Sequence, residues 1–165
     1  MNFQGKRGLT WYGAVSTICG LGYVSKSPGT LGSVASFVFF SLAGNVSLWL
    51  ILFLTVIGVI AVDRYGKEAS AETRGGIIVD EAVGLLAALW GMKRNFAVVG
   101  FFLYRIVDIV KPFPAGRIEK LPRGVGVMAD DIYCGVVTNI LLRLSEWLFF
   151  KDGWEAVLNF LNMGA

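Results

Sequence analysis

Long apolar runs separated by short polar or glycine-rich connections dominate this sequence. The runs lie at residues 31–44, 46–62, 82–92, 96–110 and 132–150, with a weaker one at 9–24. Most are rich in Leu, Phe and Ala and exceed the usual length of a strand, so the pattern predicts helices. Several are shorter than the roughly 20 residues that cross a bilayer upright. We therefore expect some helices to extend into the flanking motifs or to penetrate only part of a bilayer.

The connections between the runs predict how the helices alternate. Gly44-Asn45 predicts a tight helical hairpin, and residues 93–95 form a second short connection, whereas residues 63–79 and 111–129 are long and polar. When the runs are followed as successive crossings, residues 27–33, 63–81 and 105–131 lie on one side. Every candidate functional motif falls within these three segments.

Basic residues are concentrated on the same side as the motifs. That side carries Arg64, Lys67, Arg74, Arg105, Lys111, Arg117, Lys120 and Arg123. The connections on the other side carry only Lys93 and Arg94. Because Lys and Arg are enriched in cytoplasmic loops, the distribution predicts a multi-pass protein whose motifs face the cytoplasm.

The composition supports a membrane protein over a soluble one. Only 16% of the 165 residues are charged, 55% are hydrophobic and the mean hydropathy is +0.64, whereas soluble domains average about 25% charged residues. We predict one all-α domain over residues 1–165, a multi-helical integral membrane bundle with short or partly spanning helices and cytoplasmic motif loops. The alternative is a soluble chain with a buried helical core in a tight oligomer. The small net charge of +3 and the scattered basic residues indicate no nucleic-acid surface.

Five carboxylates stand at the ends of apolar runs, where charged groups are costly and normally mark an ion, proton or substrate site. They are Asp80, Glu81, Asp108, Asp130 and Asp131. The chain has no histidine, and its two cysteines are far apart in sequence. Hard oxygen ligands therefore remain for a metal, and these favour Mg²⁺ or a similar cation.

The segment that leads into the apolar run at residues 31–44 predicts a helix start. Residues 27–33 read SPGTLGS, with a proline suited to the first helical position and hydroxyl residues suited to a cap. The free N–H groups and positive dipole end of such a start suit a phosphate near Thr30 and Ser33. A plain capped turn is the alternative.

The acidic motifs also have structural alternatives. Asp80 and Glu81 open a predicted helix, which favours the helix dipole even without a ligand. Arg105, Asp108 and Lys111 recur every three residues on one face. They form either an ion-pair ladder or a site that holds a metal through the acid and an anion through the two bases.

Asp130 and Asp131 give the strongest local indication of a metal. The sequence predicts a glycine-rich turn over residues 124–129 that runs into these two acids at a helix start. Neighbouring carboxylates repel each other unless a cation or proton offsets them. Further along the same helix, the spacing of Arg143 and Glu146 predicts a structural ion pair.

Four motifs in this order resemble the phosphatidylglycerophosphatase A family. In this chain they read PGTLGS at 28–33, IVDEAVG at 78–84, YRIVDIVKPFP at 104–114 and GVGVMADDIYCG at 124–135. Each is weak alone, but together they span most of the chain with matching spacing. The departures are minor: Tyr104 stands where Phe is usual, Cys134 where Ala is common, and Ser27 where an apolar residue is frequent.

The resemblance implies a Mg²⁺-dependent phosphatase of the bacterial inner membrane that converts phosphatidylglycerophosphate to phosphatidylglycerol. It implies metal ligands among Asp80, Glu81, Asp130 and Asp131. Thr30, Ser33, Arg105 and Lys111 would bind the substrate, and Asp80, Asp108, Asp130 and Asp131 would serve catalysis. Whether Asp108 or Asp131 acts as base or nucleophile stays open, and oligomer formation is compatible with the sequence. The alternative from another class is an ion or proton transporter that uses helix-mouth carboxylates.

Overall fold

A computed structural model describes residues 10–24, 27–68, 75–122 and 124–148. All regular secondary structure within these ranges is helical, which confirms the predicted all-α class for this part of the chain. The helices are α1 (Trp11–Ser16), α2 (Pro28–Ala43), α3 (Leu48–Glu68), α4 (Val79–Leu89), α5 (Ala97–Val110), α6 (Ala115–Ile118) and α7 (Gly124–Glu146). Short 3₁₀ segments occupy Leu21–Tyr23 and Arg94–Phe96. Arg74, Arg123 and the two ends of the predicted runs at residues 9 and 149–150 lie outside the described residues.

The short connection predicted between α2 and α3 is present, but the two helices do not pack on each other as closely as in the predicted tight hairpin. Pro28 occupies the first turn of α2, where its missing N–H needs no partner. Gly44 ends the helix in the left-handed region, with φ of 73°, and its N–H bonds the carbonyl of Phe40. Glycine adopts that conformation without the steric cost that a side chain brings. α3 then continues through Asp63 to Glu68, beyond the predicted apolar run.

One predicted turn is wrong. α7 begins at Gly124, so residues 124–129 are helical rather than a turn, and Asp130 and Asp131 lie in the second turn of α7. The glycines serve packing here, because a side chain at Gly124 would collide with the carbonyl of Val59 on α3. The absence of a side chain thus lets the start of α7 lie against the backbone of a neighbouring helix.

α4 is the central helix of the bundle. Ten of its eleven residues are buried, all except Glu81, and it packs against α2, α3, α5 and α7. Its most extensive packing is with α7, where a side chain on Gly135 would collide with the carbonyl of Gly84. Small residues at such a crossing allow two helix backbones to approach closely, which increases their van der Waals contact.

Polar bonds join α4 and α7 at the end of the bundle away from the acidic motifs. The Asn139 amide donates to the carbonyls of Ala88 at 2.8 Å and Trp90 at 2.9 Å. Arg143 donates to the Asn139 side chain at 2.8 Å and to the Trp90 carbonyl at 3.1 Å. Glu146 pairs with Lys93 at 3.1 Å. The predicted Arg143–Glu146 pair is therefore wrong, because both side chains reach the α4–α5 connection instead.

Two of the described helices, α3 and α7, are long and apolar enough to cross a membrane. α2 is apolar but shorter. The outer surface also carries many exposed apolar side chains, among them Trp49, Leu42 and Phe53. The placement of the bundle in a membrane and the cytoplasmic location of the motif loops remain predictions.

The α4–α7 crossing gives a stability prediction. Gly135→Ala should lower the free energy of unfolding by about 1–3 kcal/mol, because the new methyl group meets a backbone carbonyl that cannot rotate away. The matched control is Gly66→Ala in α3, where no described atom beyond the adjoining backbone of α3 lies within 4 Å of the added carbon. That change should be neutral or raise stability by up to about 1 kcal/mol. Thermal unfolding in detergent measures the stability of both variants. Equal shifts in melting temperature would contradict close packing of α4 and α7 at Gly135.

Candidate active site

The ends of α4, α5 and α7 converge on one cavity of about 390 Å³. It is lined by charged residues from all three helices and from the segment after α6, together with two apolar residues. The lining consists of Asp80, Glu81, Asp108, Ile109, Lys111, Glu119, Val127, Asp130 and Asp131. All five carboxylates and one of the two bases singled out from the sequence therefore share a single site, as the crossing order predicted.

Three of these carboxylates form a tight group. One oxygen each from Asp80, Glu81 and Asp131 lies within 4.8 Å of the other two. Asp80 and Asp131 are buried, and Glu81 is half-buried. A cation bound about 2.0–2.6 Å from each oxygen bridges oxygens roughly 4–5 Å apart, so the spacing fits one divalent ion.

The free atoms of the group also fit a cation. Oδ1 of Asp80 and Oε2 of Glu81 are buried without a hydrogen-bond partner among the described residues. Burial raises the pKa of the Asp80 carboxyl, and burial together with the Asp80 charge raises the pKa of Glu81 to about 10. The ionised forms of both carboxylates are thus disfavoured by burial, and a bound cation would stabilise them.

The first turn of α2 lies directly beside this group. A side chain at Gly29 would collide with the carboxylate of Glu81, so the acid reaches the start of the helix that the sequence assigned to phosphate. Ser33 is buried, donates to the Gly29 carbonyl at 3.2 Å and accepts from Arg105 at 3.4 Å. Thr30 is exposed on the same turn and does not line the cavity. Its substrate-binding role stays a prediction.

Arg105 connects α2 with the single carboxylate of α5, Asp108. Its guanidinium pairs with Asp108 at 3.0 Å, the spacing expected for positions three apart on a helix. Asp108 in turn lies within hydrogen-bonding reach of Asp131. The Arg105–Asp108 part of the predicted ion-pair ladder is thus present. Asp108 also connects this pair to Asp131 of the three-carboxylate group.

Lys111 does not take part in the predicted ion-pair ladder. It ends α5 with its backbone in the left-handed region, at a φ of 46°. This turn directs its ammonium to Asp130 at 2.7 Å and Glu119 at 2.9 Å instead of Asp108. Burial alone would lower the pKa of Lys111, but its hydrogen bonds to the two carboxylates outweigh burial and raise it. Lys111 is therefore a fixed positive charge at the cavity.

Two positions differ from the sequence-based assignment. Asp130 lines the cavity but lies outside the three-carboxylate group and pairs with Lys111, so its role as a metal ligand stays a prediction. Glu119 was not predicted at all. It sits in a proline- and glycine-rich connection without helical periodicity, and its nearness to Lys111 arises only from the folding of that connection around α6.

Comparisons with known proteins agree with the four motifs. The sequence model of the family described as Phosphatidylglycerophosphatase A matches residues 14–146. The chain belongs to the phosphatidylglycerophosphatase A family. It is accordingly a phosphatase, and the matched region contains every residue that lines the cavity.

The relatives carry two substrate names. A Bacteroides thetaiotaomicron protein with the provisional name phosphatidylinositol-3-phosphatase is 30% identical, over 81% of this chain and 92% of its own length. The Escherichia coli phosphatidylglycerophosphatase A is 32% identical over 67% of this chain and 69% of its own. The Haemophilus influenzae phosphatidylglycerophosphatase A is 32% identical over 78% and 85%. No solved structure gives a significant match.

The three-carboxylate group of this phosphatidylglycerophosphatase A family member gives a prediction that needs no activity assay. Asp80→Asn removes one of the repelling charges, so melting in excess chelator should be unchanged or occur at a higher temperature. The rise in melting temperature on adding Mg²⁺ should be largely lost, because ligand-linked stabilisation requires the ligand set. The control Asp63→Asn changes an acid that pairs with Lys67 on α3 and does not line the cavity. A full Mg²⁺ response in Asp80→Asn would exclude that residue as a ligand.

Proposed function

We propose that this protein is a Mg²⁺-dependent phosphatidylglycerophosphatase, which hydrolyses phosphatidylglycerophosphate to phosphatidylglycerol and phosphate. The observation that carries the proposal is the cavity itself. It places three clustered carboxylates beside fixed positive charges in a chain of this family. The positive charges suit a phosphate monoester and the carboxylates suit its metal.

Asp80, Glu81 and Asp131 would hold the metal ion. When bound, Mg²⁺ would neutralise part of the phosphate charge, polarise the phosphoryl oxygens and increase the acidity of a nearby water. The ligand type agrees with this ion, since the group offers only carboxylate oxygens.

Arg105 and Lys111 would bind the substrate phosphate. Arg105 presents a planar fork that matches two phosphate oxygens, whereas Lys111 acts as a point charge. Both are already held by carboxylates, at Asp108, Asp130 and Glu119, so they are positioned before the substrate arrives. Positive groups fixed in place stabilise the charge of the phosphoryl transition state without reorganising during the reaction.

Asp108 would act as the general base. It lines the cavity outside the three-carboxylate group, and its ion pair with Arg105 at 3.0 Å would hold it in position towards a water. It would take a proton as the water oxygen bonds to phosphorus and the bond from phosphorus to the glycerol oxygen breaks. The same proton can then pass to the departing oxygen.

The proposal includes a cell-membrane location with the cavity facing the cytoplasm. α3 and α7 are the candidate membrane-spanning helices. Arg64 and Lys67 near the end of α3, together with Arg117 and Lys120 after α5, lie on the side that carries the motifs. A transporter function is not supported by the comparisons, whose matches are phosphatases.

Phosphate release from the purified protein tests the proposed function. Long-chain phosphatidylglycerophosphate should be hydrolysed with Mg²⁺, activity should vanish in excess chelator, and Mg²⁺ or Mn²⁺ should restore it. Phosphatidylinositol 3-phosphate is the comparison substrate, because one relative carries that name. Preference for this lipid would overturn the substrate assignment, and full activity in chelator would overturn the metal dependence.

The two bases give the next prediction. Lys111→Met and Arg105→Lys should each lower kcat/KM by about 10²-fold, the scale of one charge-assisted contact in a catalytic site. Arg105→Lys is included because charge alone does not restore bidentate geometry. The matched control is Lys93→Met, whose ammonium pairs with Glu146 at the far end of the bundle. Normal turnover of both cavity variants would make these residues structural ion-pair partners.

A further inference from the structure

The cavity has one residue that also belongs to the outer apolar surface. Within the described part of the chain, Ile109 and Val127 are its only apolar lining residues, and the other lining residues are charged. Val127 is half-buried, whereas 74% of Ile109 is exposed. Ile109 is therefore the point at which the charged cavity meets the apolar exterior of the bundle.

From Ile109 an exposed apolar strip runs along α5. Phe102, Ile106 and Ile109 follow each other at steps of four and three residues, which places them on one helical face. Their exposed fractions are 62%, 58% and 74%. At about 1.5 Å of rise per residue the strip is roughly 10 Å long. It leads from the cavity towards the end of the bundle that carries Lys93 and Arg94.

We propose that this strip of Phe102, Ile106 and Ile109 is the track on which an acyl chain of the lipid substrate lies during turnover. The inference rests on the proposed function, since it takes the substrate to be a phosphomonoester lipid. The phosphate and the acyl chains of such a lipid are covalently joined. With the phosphate at Arg105 and Lys111, the chains must leave the cavity close by.

The charged residues around the cavity determine where the acyl chains of the substrate leave it. An exit past Lys111 and Glu119 would place hydrocarbon against a charged pair, which is unfavourable. An exit past Ile109 keeps the chain on apolar side chains over the length of the strip. The direction also agrees with a cavity at the membrane surface, because α5 runs from there towards the opposite face.

An exposed apolar residue can instead contact bulk lipid without any role in substrate binding, and Val56 provides the comparison. It lies on α3 and is 59% exposed, close to the 58% of Ile106, and both side chains are β-branched. α3 packs on α1, α4 and α7 and contributes no residue to the cavity. The two sites thus match in exposure and differ in their connection to the cavity.

The experiment compares Ile106→Asn with Val56→Asn on two substrates. One is long-chain phosphatidylglycerophosphate in mixed micelles, and the other is its deacylated, water-soluble headgroup phosphate, measured as substrate and as competitive inhibitor. Ile106→Asn should raise KM for the lipid about tenfold, the loss expected for roughly two methylene contacts. It should leave the headgroup compound unchanged, and Val56→Asn should change neither. Ile106→Ala, which adds no polar group, repeats the test if Ile106→Asn unfolds in detergent.

Two results would overturn the track while leaving the proposed function standing. One is an equal effect of the Ile106 and Val56 variants on the lipid, which would indicate bulk lipid contact. The other is an equal loss for lipid and headgroup compound, which would indicate a general defect of the site. Failure of the wild-type protein to hydrolyse phosphatidylglycerophosphate would refute the proposed function and the track together.

Discussion

Repulsion among Asp80, Glu81 and Asp131 is the constraint on which the site depends. Their oxygens lie within 4.8 Å of one another, and two of the three residues are buried. Like charges at that distance inside a protein are tolerated only with compensation by a cation, a proton or hydrogen bonds. The start of α2 supplies part of the compensation, because its positive dipole end lies against Glu81. The nearby guanidinium of Arg105 also acts in that direction.

The packing of α4 makes this arrangement rigid. Asp80 and Glu81 sit in the first turn of a helix that four others surround. Asp131 reaches them from α7, and the separation of the two helices is set at the crossing of Gly84 and Gly135. A wider crossing would move Asp131 away from Asp80, so the small residues in the core determine the geometry of the charged group. Function at the surface of the bundle is in this way tied to close packing inside it.

The sequence predicted the helices and the gathering of the acids because both depend on local signals. Apolar runs specify helices, and the alternation of crossings places Asp80, Asp108 and Asp131 at one end whatever the detailed packing. Bonds that depend on side-chain direction were not predictable in the same way. Lys111 turns to Asp130 and Glu119 because the backbone at Lys111 is left-handed, a conformation that favours glycine and that lysine rarely adopts.

The glycine-rich start of α7 shows a related limit. Gly124 and Gly126 predict a turn by composition, yet they are helical because tertiary packing outweighs their poor helix propensity. Likewise, Arg143 and Glu146 have the spacing of a helical pair but each finds a partner on the neighbouring connection. Local spacing identifies which residues can meet, and the competing partners from other helices decide which contacts form.

The polar bonds of Asn139 and Arg143 have a consequence for how the bundle opens. The neutral amide of Asn139 and the cationic guanidinium of Arg143 donate hydrogen bonds to backbone carbonyls at the end of α4 and so hold α7 against it. No carboxylate of the cavity takes part in these bonds. The opposite ends of the same two helices meet at clustered negative charge. The two ends therefore differ in what holds them together: hydrogen bonds to backbone carbonyls join one end, whereas under the proposed function a bound cation would offset the repulsion at the other. Loss of that cation would weaken the contact of α4 with α7 at the acidic end and leave the hydrogen bonds of Asn139 in place.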